Sequence, residues 1–255
     1  MTKVSGFFQL SSKLTSAKNR YVQKADYHAK GKGFKKAMDI ILLIEGYTES
    51  ECIMELQEEV KSQLREGAST MEAATALSPG IAYAALLVTR CFKQQGKVIL
   101  FGNGGSAADA QHIAAEFVGV LRRSNMRAPL DAVALTTNTS VLTAIVNDTG
   151  GDAIFVRQLD ACARPSDVAI GISTSGNSDN IYQALVRAKE LGLYTIGFLG
   201  CTGGRINDVV DVSIIVPAFD TPRIQEVHIT IGHILCDLVE KMLKEEGLPD
   251  AGFGC

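Results

Sequence analysis

Residues Lys97–Glu116 read KVILFGNGGSAADAQHIAAE, and this stretch decides the architecture. Val98-Ile99-Leu100-Phe101 is a short apolar run without polar alternation, the pattern of a strand buried on both faces. Gly102, Asn103, Gly104 and Gly105 turn the chain, and a helical stretch follows for which Ser106 is a suitable N-cap. Glycines at such a junction let backbone amides come close to a ligand, and the start of a helix favours negative charge. On that helix His112 and Glu116 are four residues apart, so an imidazole and a carboxylate share one face a turn beyond the loop. A loop for a polar ligand and a proton-transfer pair are thus gathered within sixteen residues. This points to an enzyme acting on a small polar, phosphorylated compound.

Working outward, the same alternation recurs. Further apolar strands are expected at Ala132–Leu135, Val168–Ile172, Thr195–Leu199 and Val212–Val216. Helices are expected at Ser106–Val120, Ser140–Val146, Ile154–Ala163, Asp179–Leu191 and Thr221–Glu246. Upstream, Ile53, Leu56, Val60, Leu64 and Met71 make a helical apolar stripe from Ser50 to Leu77, which Pro79 is expected to break before a second helix, Ile81–Gln95. Strands separated by helices argue for an α/β fold with a parallel sheet covered on both faces. Ligands on such sheets sit beyond the carboxyl ends of the strands, where the Gly/Ser/Thr/Asn-rich segments fall.

At 255 residues, 46% of them apolar, with 24 Gly and no Trp, the chain suffices for one α/β domain with appendages. The nearest candidate for a membrane span, Met38–Ile44, is far too short and is closed by Glu45 and Gly46. That implies a soluble, cytoplasmic protein with no membrane partner. The net charge of −3 is uneven. Residues 1–36 hold nine Lys or Arg against the single acid Asp26, an excess of eight positive charges, so the remainder carries −11. We read residues 1–53 as a solvated, flexible extension or as sequence ahead of the true start, in preference to a nucleic-acid arm or a targeting peptide. Six cysteines without a C-x-x-C pair read as reduced thiols.

Two more segments carry chemistry. Ser173-Thr174-Ser175-Gly176-Asn177-Ser178 follows a strand directly and offers hydroxyls and amides at a helix start, a phosphate cradle without a fixed cation. Neither a Walker loop nor a dinucleotide fingerprint is present. In Thr221–Glu240, Gln225 and His233 lie eight residues apart and point to roughly the same side of a helix. His228 lies on another face and reads as structural or as an interface residue. Of four histidines in the chain, His112 and His233 occupy candidate positions. With Glu116 and Gln225 they can supply four ligands to a divalent metal, for which Zn²⁺ suits the donors. Each spacing alone is a weak signal, since a helical histidine is more often a hydrogen-bonded core residue. Asn147 and Asp148 end a helix and are by themselves only a C-terminal turn.

The strings GNGGSAADAQHIAAEFVG, LTTNTSVLTAIVND, ISTSGNSDNI and RIQEVHITIGHILCDLVE, taken in order, resemble a sugar isomerase (SIS) domain and, within it, the phosphoheptose isomerase family. The resemblance runs from about Met54 to about Leu243. It implies a three-layer αβα sandwich of SIS type with a central five-stranded parallel sheet, preceded by an N-terminal helical region. The domain would cover residues 54–246, with helices over 54–95, the α/β core over 97–246 and a tail over 247–255; residues 1–53 have no counterpart. It further implies a homotetramer with sites at subunit interfaces, one zinc per subunit, and isomerisation of D-sedoheptulose 7-phosphate to D-glycero-D-manno-heptose 7-phosphate, the first step toward activated heptose for lipopolysaccharide. By motif, Asn103, Gly104, Gly105, Asn147, Asp148, Ser173, Thr174, Ser175, Ser178 and Gln225 would contact substrate. His112, Glu116, Gln225 and His233 would hold zinc, and Glu116 with His233 would be the acid/base pair. Those two roles are in tension, because a donor fully committed to a metal is not a base. The segment Thr149–Phe155 is less aromatic than the family's.

The alternative is a non-catalytic tetrameric SIS protein that binds a replication initiator. Such proteins keep the serine loop but lack the acidic and histidine residues, and Glu116 and His233 favour the enzyme. An SIS isomerase for another phosphosugar, or a regulator with an SIS sensor domain, fits the paired motifs less well.

Overall fold

A computed structural model of the chain describes residues 49–122, 124 and 126–245. Most of the basic extension and the tail 247–255 lie outside the described residues. The chain divides into two compact units, residues 1–62 and 63–255. In the first, the described residues belong to helix α1, Glu49–Ala73, on which Ile53, Leu56 and Val60 are exposed.

The second unit continues α1, passes a 3-10 turn at Ala74–Leu77 and enters α2, Ser78–Lys93. The helix break expected at Pro79 falls just ahead of it, at Ala74–Leu77. Pro79 stands in the first turn of α2, where its missing N–H is no loss. Then follow β1 (Val98–Gly102), α3 (Gly105–Val118), β2 (Ala132–Ala134), α4 (Thr139–Thr149), α5 (Ile154–Cys162), β3 (Val168–Ser173), α6 (Asp179–Glu190), β4 (Tyr194–Leu199), β5 (Val212–Ile215) and α7 (Thr221–Glu245). Each expected strand and helix is present, with boundaries displaced by up to four residues.

The five strands are all parallel, in the order β2-β1-β3-β4-β5. Strand side chains alternate between two buried layers, as the period of two requires. Val98 and Leu100 of β1 join α2, α3 and α7 in one core, with Ile113, Phe117, Val227 and Ile231. Ile99 and Phe101 join α5 and α6 in the other, with Phe155, Leu159, Ile181 and Leu185. This is the three-layer αβα sandwich. From β1 the chain moves through α3 toward β2, and from β3 it moves through α6 toward β4, in the opposite direction. Right-handed crossovers that diverge in this way put α3 and α6 on opposite faces. The loops after β1 and β3 are thereby left side by side at the switch point, where a ligand is expected.

An 18-residue window within Glu51–Lys93 is long and apolar enough to pass for a membrane span, by length and composition only. In α2 those apolar residues are already engaged: Ile81, Ala84, Leu87 and Val88 are buried, and the helix packs on α7 and β5. They serve the core of an α/β domain.

Candidate active site

The first glycine loop begins α3 at Gly105, with Gly104 as N-cap at φ 54°. Ser106 is therefore not the cap that its residue type suggests; it lies inside the helix and is buried. The positive φ that the tight turn demands at the cap favours glycine there, which leaves the serine two residues too late. Gly105 has a second reason to lack a side chain. A Cβ there would stand 2.5 Å from Nε2 of Gln225, so the glycine lets the carboxamide of α7 lie against the loop.

Further along α3, Nε2 of His112 is 3.2 Å from Oε1 of Glu116 and 3.2 Å from Nε2 of His233 on α7. The two imidazole rings meet edge to face with centroids 4.9 Å apart. The three donor atoms lie within 4.8 Å of one another. An imidazole nitrogen carries either one proton or one lone pair, so two nitrogens and a carboxylate oxygen converging this way share a proton or a cation. The apolar contact behind them is close: a Cβ on Gly232 would stand 2.6 Å from Ile113, which brings α7 against α3. His233 also lines a cavity of about 290 Å³ with Leu121, Arg122, Ile234, Asp237 and Leu238.

One turn before His112, Asp109 presents a buried Oδ2 without a hydrogen-bond partner. Burial raises its pKa, and the neighbouring His112 opposes that rise. Nothing but its i−3 spacing from His112 marks this residue in the sequence.

The serine loop is closed on itself. Ser173 and Ser178 hydroxyls are 3.1 Å apart, and the amide of Asn177 donates to Oγ of Ser175 at 3.2 Å. Gly176, at φ 65°, rests against the loop after β4, where a Cβ would fall 1.9 Å from the carbonyl oxygen of Gly203. Arg205 from that same loop donates to the Asn177 carbonyl, pairs with Asp179 and lies 4.4 Å from the centre of the Tyr182 ring. Asn103 of the glycine loop exchanges two 2.9 Å hydrogen bonds with Asn180 at the start of α6. The two loops are thus tied across the switch point. Asn180 stands inside the quoted ISTSGNSDNI string, yet no spacing signals its partner 77 residues away.

Asn147 and Asp148 sit on the exposed last turn of α4 and bond to each other at 2.8 Å. Asp148 is not part of the His112 cluster. His228 is buried, with Nε2 2.9 Å from the carbonyl of Leu199, and burial pushes its pKa down to about 4. It is a structural residue, as its separate helix face implies.

Residues 37–200 match the SIS domain, starting upstream of the Met54 at which the motif resemblance begins. Among curated relatives, the phosphoheptose isomerase of Geotalea daltonii is 55% identical over 187 residues, 73% of this chain and 96% of the relative. That of Aquifex aeolicus is 51% identical over 189 residues, 74% of this chain and 98% of the relative. The solved phosphoheptose isomerase of Neisseria gonorrhoeae is 43% identical with a TM-score of 0.69, covering 73% of this chain and 99% of that one. The chain belongs to the phosphoheptose isomerase family of SIS-domain proteins.

Proposed function

We propose that the protein isomerises D-sedoheptulose 7-phosphate to D-glycero-D-manno-heptose 7-phosphate in the cytoplasm, an aldose–ketose conversion that opens activated-heptose synthesis. The observation that carries this reading is the convergence of His112, Glu116 and His233 from two helices beside the switch-point loops. The non-catalytic SIS binders lack the acidic and histidine residues at these positions, so the retained Glu116 and His233 favour the enzyme.

The reaction moves a proton from C1 of the ketose to C2 of the aldose through an enediol, while a second proton passes between the oxygens on those carbons. Glu116 and His233 are the pair for this work, one at carbon and one at oxygen. The serine loop, Ser173, Thr174, Ser175 and Ser178, binds the phosphate through hydroxyls and amides. Asn103, Gly104, Gly105 and Gln225 line the sugar's path between that loop and the pair, with Asn147 and Asp148 completing the site in the assembly.

Two imidazoles and a carboxylate fit a zinc ion, and Gln225 from the same helix as His233 would be the fourth ligand. When bound, the metal would supply polarisation of the sugar oxygens. We further propose a homotetramer with sites at its interfaces. Its support is the exposed row Ile53, Leu56, Val60 and Leu64 on α1, between 47% and 69% exposed in the single chain.

Purified protein incubated with sedoheptulose 7-phosphate should form the aldose phosphate, and Glu116→Gln should lower turnover at least about a hundredfold. Absence of turnover by the wild type, with zinc supplied, would refute the isomerase reading.

A further inference from the structure

Arg127 is a buried cation, 8% exposed, that touches neither loop of the site. Its guanidinium is committed on every side. Nε donates to Oε1 of Glu240 at 2.9 Å, and Nη2 lies 2.8 Å from the same oxygen. Nη2 donates to the carbonyl of Glu116 at 2.8 Å, and Nη1 to the carbonyls of Phe117, Gly119 and Ala128 at 2.8, 3.0 and 3.1 Å. The last carbonyls of a helix have no partner within it, and a cation at that end also complements the helix dipole. Arg127 therefore caps α3 at the turn that carries Glu116. Glu240, itself 3% exposed, stands on α7 seven residues after His233, two turns along the same face.

We propose that Arg127 and Glu240 are positioning residues for the acid/base pair. One guanidinium fixes the backbone of Glu116 and, through Glu240, the rotation and height of the helix that bears His233. Adhesion alone does not call for this pair. The apolar contact of Ile113 with Gly232 already joins α3 to α7, and a buried ion pair is commonly no more stabilising than two apolar side chains. What an apolar pair cannot do is hold the carbonyl of Glu116 in a fixed direction. Displacements of about 1 Å in reacting groups cost about a hundredfold in rate, so holding the two helices in register has a catalytic return.

The proposal rests on the assignment of Glu116 and His233 as acid and base. Its test uses the full chain with Arg127→Lys and with the double substitution Arg127→Met, Glu240→Leu. The double variant leaves no unpaired buried charge but takes the donor from the carbonyls of Glu116, Phe117, Gly119 and Ala128, so it should fold with a lowered melting temperature, and kcat is compared per folded molecule. We expect kcat to fall at least about tenfold in both, with KM within about twofold, since substrate loops are untouched. The four histidines also give few imidazole NMR signals. Those of His112 and His233 should shift in the variants while that of His228 stays. Wild-type kcat per folded molecule in the double variant would overturn the proposal. Should the double variant not fold, Arg127→Lys decides by the same kcat criterion. If the wild type proves inactive on the heptose phosphate, the isomerase reading falls separately, and the imidazole signals alone decide whether Arg127 positions the two histidines: unmoved signals would overturn it.

Discussion

Glu116 and His112 are adjacent by spacing, but His233 reaches them only because α7 lies against α3, with Gly232 giving way to Ile113. Substituting Glu116 by Gln keeps size and removes the base, so folding should be preserved while turnover collapses; thermal melting beside the activity assay checks both halves. His228 makes a different prediction. Its neutral form is favoured in the folded state, with a pKa of about 4 against 6.5 for the free group. The folded protein therefore binds fewer protons between those values. The stabilisation is full above pH 6.5 and is lost as pH falls toward 4, about 3 kcal/mol in all. Urea unfolding of His228→Gln should show a correspondingly shallower loss of stability over that interval; parallel curves would contradict it. At this scale the sequence exposes pairs that are local. The i, i+4 pair His112–Glu116 is visible, as is the rough alignment of Gln225 with His233. Arg127 is not: its partners are the nearby carbonyls of α3 and a carboxylate 113 residues away, and no periodicity encodes either. Ser106 misleads because residue preference names a good cap without saying where the turn's positive φ will fall.

Among the elements, the serine loop depends on its neighbour. Gly176 is fixed by the Gly203 carbonyl and by its own left-handed backbone, so Gly176→Ala must displace one loop from the other. The cost is about 2–3 kcal/mol of strain, and the expected result is a lower melting temperature together with a KM for the phosphosugar raised more than kcat is lowered. An unchanged KM would show that this loop does not hold the phosphate. The elements themselves were legible because their signals are strong and local. Runs such as Val168–Ile172 lack polar alternation, and helices such as Asp179–Glu190 bury one stripe, Ile181, Ala184, Leu185 and Ala188. Pro79 shows the limit of such reading. A proline punctuates a helix, but whether it ends one or begins the next depends on packing, here of α2 against α7.

For the whole molecule, the order β2-β1-β3-β4-β5 is what brings the two loops together, and sequence alternation gave the parallel sheet without that order. The exposed row on α1 should be covered in a tetramer. Light scattering is expected to give four chains, and Leu56→Glu with Val60→Glu to lower that number; a wild-type monomer would contradict the assembly. Removing residues 1–53 should leave kcat within about twofold of the full chain. Proton transfer by Glu116 on a seven-carbon ketose phosphate can be followed by NMR of sedoheptulose 7-phosphate incubated in D₂O. The wild type should carry solvent deuterium into C1 of the ketose or C2 of the new aldose, and Glu116→Gln should do so at least about a hundredfold more slowly. Deuterium entering as fast with Glu116→Gln as with the wild type would contradict it, as would a wild-type incubation in which the sugar neither exchanges nor converts.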